Sequence, residues 1–180
     1  MRVIAGTARG VPLTAPRGRS TRPITDRVKE TLFAILGDRV PDARVADLYA
    51  GSGAIGIEAL SRGAASVDFV ERDRAALDAL RSNLERTRLG QAARIHAADV
   101  ERHLAAPPDE TWDLAILDPP YETRAMVAPL RALVPRLAPG ATVVIKHFWR
   151  TDAPEVERLT VVRQRRFGET MLTFLATEDA

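Results

Sequence analysis

From Arg44 onward, short apolar runs alternate with segments of helical period, and this is the feature that most narrows the folds open to the chain. Runs at 45–49, 66–70, 94–97, 112–117 and 142–145 read as strands. Between them lie a helix from about Ala54, one carrying Leu77, Leu80 and Leu84, and one through Leu130, Leu133, Val134 and Leu137, which Pro139-Gly140 would stop. Such alternation builds a mainly parallel sheet covered by helices on both faces, because each crossover must return the chain to the same sheet edge. The last two runs, 159–162 and 171–175, are joined by too short a linker for a crossover, so they are expected to form an antiparallel hairpin. The expectation is an α/β chain with a seven-stranded, Rossmann-like sheet, and 180 residues suit one such domain with a substantial core.

Ahead of this pattern, 3–5 and 11–13, separated by Gly6 and Gly10, suggest a small β-hairpin appendage, followed by a loop punctuated by Pro16, Gly18 and Pro23. Asp26 is placed to cap a helix with Val28, Leu32, Ile35 and Leu36 on one face and Gly37 as its stop. The division expected is a basic arm over 1–24 and a main domain over 25–180. Residues 1–29 hold Arg2, Arg9, Arg17, Arg19, Arg22, Arg27 and Lys29 against Asp26 alone, about +6 in a chain whose formal charge is +2. A basic arm on a mildly acidic body suggests a polyanionic partner, although a solvated arginine-rich surface has the same composition.

Composition removes several chemistries. The chain has no cysteine, which excludes disulfides, thiolate metal sites and a cysteine nucleophile. His96, His103 and His147 have no ligand spacing, so no metal site is expected. No apolar stretch approaches the length of a membrane span, and the first residues lack the apolar core of a signal peptide. These features read as a soluble cytoplasmic protein, with nothing that demands more than a monomer.

The segment Asp47-Leu48-Tyr49-Ala50-Gly51-Ser52-Gly53-Ala54-Ile55-Gly56 joins the first sheet strand to its helix. Gly51, Gly53 and Gly56 let the backbone approach a ligand, and the pattern suits NAD, FAD and S-adenosylmethionine (SAM) equally. A tight strand-to-helix turn is the plainer reading. Glu71, itself followed by Arg72, comes just after the second strand, where a carboxylate can accept from both ribose hydroxyls of an adenosine. Asp99, followed by Val100, could accept from an adenine amino group or could cap a helix. Asp47, just before the glycines, is a candidate for the methionine ammonium. On this reading Tyr49, Ala50 and Ser52 complete the cofactor loop.

Asp118-Pro119-Pro120-Tyr121 ends the fourth strand, delivering a carboxylate, a rigid carbonyl and an aromatic face to the sheet edge where ligands bind. An exocyclic amino group on a base is a poor nucleophile because its lone pair is delocalised into the ring. Accepting its two hydrogens on Asp118 and the Pro119 carbonyl draws the nitrogen toward tetrahedral geometry and aims the pair at a methyl donor. Tyr121 would stack on the extruded base. The motif favours SAM over a nicotinamide, since the proton donor that a dehydrogenase usually needs is not apparent. Two further readings share these residues: a DNA adenine-N6 methyltransferase, for whose duplex recognition the chain has little room, and a SAM-binding assembly factor without turnover.

Across nearly its full length the chain resembles the bacterial RsmD-type family, the 16S ribosomal RNA guanine-N2 methyltransferases. The resemblance rests on residues 1–6 with Arg9-Gly10, on Arg22-Pro23-Ile24-Thr25-Asp26-Arg27-Val28-Lys29-Glu30-Thr31-Leu32-Phe33, on the glycine turn with Glu58-Ala59-Leu60-Ser61-Arg62-Gly63-Ala64, and on Asp118-Pro119-Pro120-Tyr121. It implies a class I fold, SAM as methyl donor, and as acceptor a small-subunit guanine whose usual position in the family is 966. It also implies an RNA-facing set comprising Arg9, Arg17, Arg19, Arg22, Arg27 and Lys29, with Arg165 and Arg166 near the C-terminal hairpin turn, where Arg163 and Gly168 also lie. At one place the chain departs from the family pattern: an acidic residue is expected after the fifth strand, and Lys146-His147-Phe148-Trp149-Arg150 stands there.

Overall fold

The computed structural model describes residues 1–16, 24–107, 110–119 and 126–177. Its framework is one seven-stranded sheet, built from β1 (Arg44–Leu48), β2 (Ser66–Glu71), β3 (Ala93–Ala97), β4 (Trp112–Leu117), β5 (Leu137–Phe148), β6 (Leu159–Phe167) and β7 (Thr170–Thr177). The spatial order is β3-β2-β1-β4-β5-β7-β6, with the first five strands parallel and β7 antiparallel to both its neighbours. The order reverses between β1 and β4, and there the carboxyl ends of neighbouring strands open a crevice.

Helices cover both faces, as the alternation requires. On one face α1 (Asp26–Leu36), α2 (Ala54–Ser61) and α3 (Arg74–Thr87) pack on Val45, Val67, Phe69, Leu114, Ile116 and Val144; on the other, α4 (Val100–Ala105) and α5 (Val127–Leu133) pack on Ala46, Leu48, Val70, Ala115, Leu117 and Ile145. Successive residues of β1 point to opposite clusters, so the side chain of Asp47 is sent to the α2 face.

Boundaries moved where local signals misled. Thr25, not Asp26, caps α1: its Oγ1 accepts from the Val28 amide at 3.3 Å, while Asp26 pairs with Arg2 at 3.2 Å. Leu137 and Pro139-Gly140 belong to β5 rather than to a helix end, because Trp112 pairs with Leu137 across a register shift that lets Gly140 take φ 71°. β6 extends to Phe167, so Arg163, Arg165 and Arg166 lie on an edge strand and only Gly168 is in the turn. That strand is solvated on both sides, with Val161 and Val162 exposed, and therefore lacks the apolar alternation by which strands are recognised.

The N-terminal hairpin is reduced to an Arg2–Pro12 bridge, and Val3, Ala8 and Leu13 join the same hydrophobic cluster as α1 and α2. Two residues of α2 hold it. Glu58 accepts from the amides of Ile4 and Ala5 at 2.8 and 3.0 Å, and Ser61 exchanges hydrogen bonds with Ala5 and Ala8. Gly6 passes so close to α2, at φ 83°, that a Cβ there would lie 1.7 Å from the Ser61 carbonyl oxygen.

Candidate active site

Four parallel strands end side by side at the switch point, and the chain leaves each with a polar group. After β1 the backbone takes left-handed conformations at Tyr49 (φ 62°), Gly51 (φ 56°) and Gly53 (φ 75°), a sequence that turns the chain sharply into α2. Space above Gly51 is open, whereas a Cβ on Gly56 would lie 2.3 Å from the Phe69 ring and 2.9 Å from the Asp47 carboxylate. Gly51 therefore sits in a turn with open space above it, and Gly56 serves the close packing of α2 on the sheet. Ser52 is buried, its carbonyl accepting from Asn83 of α3 at 3.0 Å, and Asn83 also holds Thr14 of the N-terminal segment through two bonds. The loop is thereby tied to α3 and to the hairpin at once.

Glu71 stands where β2 ends. One oxygen accepts from the Gly51 amide at 2.9 Å and the other from the amides of Arg72 and Asp73, so the carboxylate is fixed beside the loop with its outer lone pairs available. After β3, Asp99 caps α4 by accepting from the amides of Glu101 and Arg102, and its other oxygen meets Arg72 at 3.0 Å. The capping interpretation is thus realised, and a cleft of about 520 Å³ opens beside it, lined by Arg72, Ala97, Ala98, Asp99, Arg102 and His103. Val100 is buried among the apolar residues of α4 and α5, so its side chain supports the site from behind. Tyr49 is half-buried, and burial with Glu101 and Asp99 nearby pushes its phenol up to about 12.

Asp47 requires a correction. It is 1% exposed and accepts from the Gly56 amide at 2.9 Å, so it braces the loop from below and does not reach a ligand's ammonium. Burial, only partly offset by that amide, pushes its carboxyl up to about 8.

The backbone of Asp118 continues the ladder, its amide donating to the Leu48 carbonyl at 3.2 Å. Leu117 pairs with Ile145, which places Asp118 and Lys146 at the next register position across β4 and β5. Lys146 Nζ lies 2.6 Å from one Asp118 oxygen and 2.8 Å from the other. The side chain of the lysine is 8% exposed and that of the aspartate 25%, so the carboxylate is the outward member. Burial raises the Asp118 carboxyl above its ordinary range, and Lys146 opposes that rise. Pro119 is buried beside it, while Pro120 and Tyr121 lie outside the described residues.

Of the arginines expected to face RNA, Arg9, Arg27, Arg165 and Arg166 are exposed, and Arg17, Arg19 and Arg22 lie outside the described residues. Lys29 is corrected: it is wholly buried, 3.1 Å from Glu58 and bonded to the Arg2 carbonyl, because its place on α1 faces the hairpin and α2. Two features had no strong sequence signal. Lys146 closes an apolar run and looked like a strand end. Trp149, just past β5, is flanked by the guanidinium groups of Arg166 and Arg150, at 3.5 and 4.9 Å from its ring centre, a grouping assembled from segments remote in sequence.

A parallel sheet closed by an antiparallel β7, with a glycine turn after β1, an acidic residue after β2 and Asp118-Pro119 after β4, defines a class I methyltransferase. The family model described as conserved hypothetical protein 95 matches residues 1–176. YlbH of Bacillus subtilis is 39% identical over 94% of this chain and 95% of its own length. Ribosomal RNA small subunit methyltransferase D of Haemophilus influenzae is 32% identical over 93% of this chain and 89% of its own. The solved structure of yhhF from Escherichia coli superposes with a TM-score of 0.90 at 31% identity, covering 100% of this chain and 99% of that one. The chain belongs to the conserved hypothetical protein 95 family, the RsmD family of methyltransferases.

Proposed function

We propose that this protein transfers a methyl group from SAM to the exocyclic N2 of a guanine in 16S rRNA, at the position numbered 966 in the family, within the small subunit or a late precursor. The observation that carries this reading is Asp118-Pro119 set at the β4 terminus, beside the glycine turn and across β5 from Lys146. The residues fit the cofactor: an open backbone turn at Gly51 and a fixed carboxylate at Glu71 suit a nucleoside bearing adjacent hydroxyls. When bound, SAM supplies an electrophilic methyl on a sulfonium.

The protein's own groups do the positioning. Asp118 and the Pro119 carbonyl accept the two amino hydrogens of the guanine, so its nitrogen presents a localised pair. The methyl would come from the sulfonium, whose sulfur would keep the bonding pair, and the nitrogen would become acidic only once methylated. Its proton passes to Asp118 and on to water, so Asp118 need not be a strong base in the resting site. Arg165 and Arg166 on the β6 edge, with Trp149 and Arg150 just past β5 beside Arg166, present positive and planar groups where phosphates and unpaired bases can be met together.

Transfer of labelled methyl from SAM to small ribosomal subunits lacking the modification tests this, with naked 16S rRNA and duplex DNA in parallel. Label recovered as N2-methylguanine in the subunit is expected. Label in DNA adenine, or SAM binding without transfer to any acceptor, would overturn it.

A further inference from the structure

We propose that Lys146 is a positioning residue for methyl transfer, which keeps Asp118 in its ionised, acceptor-only form and sets the plane of that carboxylate toward the incoming amine. This rests on the function proposed above and assigns a role to the residue at which the chain departs from the family pattern.

The geometry makes the case. An ammonium 2.6 and 2.8 Å from the two oxygens bridges them, which restrains rotation about the carboxylate's own bond. Because β4 and β5 are parallel and adjacent in register, the lysine approaches from the sheet and leaves the outward side of Asp118 open. Each oxygen keeps lone pairs beyond those the ammonium uses, so an amine hydrogen can be accepted without displacing Lys146.

Charge gives the reason for a lysine here. A carboxyl withdrawn from water tends to become neutral, and a neutral carboxyl offers a hydroxyl where the amine requires an acceptor. Among the described residues, the groups that act on Asp118 from neighbouring elements are Lys146 on β5 and Asp47 on β1. His147 does not face it: the ring turns to the other side of β5, with Nε2 2.8 Å from the Thr173 hydroxyl of β7. Asp47, with its own carboxyl pushed up to about 8, is largely uncharged at neutral pH and adds little repulsion there. Lys146 is thus the cation that opposes neutralisation of Asp118.

The test is titration of Asp118 in full-length protein carrying carboxyl-labelled aspartate, its carbon resonance assigned with Asp118→Asn, alongside single-turnover methyl transfer to subunits as a function of pH. Wild-type Asp118 is expected to be ionised at the pH of the transfer assay. In Lys146→Met its midpoint should rise by about one pH unit or more, and the acid limb of the transfer rate should move up with it. SAM affinity should be kept. Lys146→Arg, which retains charge, should leave the midpoint near wild type at a reduced plateau rate. An unshifted midpoint in Lys146→Met would overturn the proposal. If that variant does not fold, a wild-type midpoint above the assay pH overturns it just as directly. The titration needs no acceptor, so a shifted midpoint in a protein that methylates no RNA faults the rRNA reading alone.

Discussion

Among the described residues, two lysine–carboxylate pairs sit in or at the edge of the core, and they differ in what else reaches the carboxylate. Lys29 and Glu58 are both 0% exposed, and Glu58 is saturated: besides the lysine it accepts from the amides of Ile4 and Ala5 and from Arg62. Nothing further can bind there, and the pair's effect is to fasten the N-terminal hairpin and α1 to α2. Asp118 has Lys146 as its donor among the described residues and is partly open. The same chemical pair makes a latch when its acceptor capacity is filled and leaves an accessible acceptor when some capacity is left over. The comparison also explains why Lys29, basic and close to an arginine-rich stretch, is not an RNA contact.

The largest effect that would separate the two pairs is on rate. Asp118→Ala should lower methyl transfer by about 10²- to 10⁴-fold while SAM affinity changes little, read by single-turnover kinetics and calorimetric SAM binding. A variant with near wild-type transfer would remove the distinction. Lys29→Met should do the opposite, leaving the buried Glu58 with Arg62 as its remaining cation, at a cost of up to about 3–5 kcal/mol. Urea unfolding measures it, and a loss below about 1 kcal/mol would show that Glu58 is adequately held by its other donors.

A third variant sharpens the contrast through pH. The Asp47 carboxyl is raised in the folded state to about 8, so the folded protein holds that proton more tightly than the unfolded chain. Its contribution to stability is therefore present at low pH, declines as pH rises above the unfolded value near 4, and is fully lost above about 8. Asp47→Asn keeps an acceptor for the Gly56 amide and should flatten this decline in urea midpoints between pH 5 and pH 9; parallel curves for the two proteins would count against the assignment. The smallest effect belongs to the surface. Replacing Arg165 and Arg166 with Ala should weaken subunit binding modestly and reduce the salt slope by about 1 to 2. An unchanged slope would take the β6 edge out of the RNA interface.

Much of the site was legible because its residues follow strands directly. Glu71 and Asp118 were placed by counting from apolar runs, and the open turn at Gly51 by its glycines. Asp47 was misjudged for a reason that the register of β1 makes plain: proximity to a glycine loop in sequence does not say which face of the sheet a side chain takes. Asp99 carried two readings, and the cap at α4 is what the structure realises. Arg163, Arg165 and Arg166 were assigned to a turn because a strand solvated on both faces has no apolar period to read.

Periodicity and strand-end residues, both local properties, determined the α/β class, the parallel sheet, the C-terminal hairpin and the Asp118 motif from the sequence alone. The fate of each charged group was decided only in three dimensions. Whether Lys29 meets solvent or Glu58, and whether Lys146 ends a strand or grips Asp118, depends on which segments pack together, since burial and pairing are set by neighbours far along the chain.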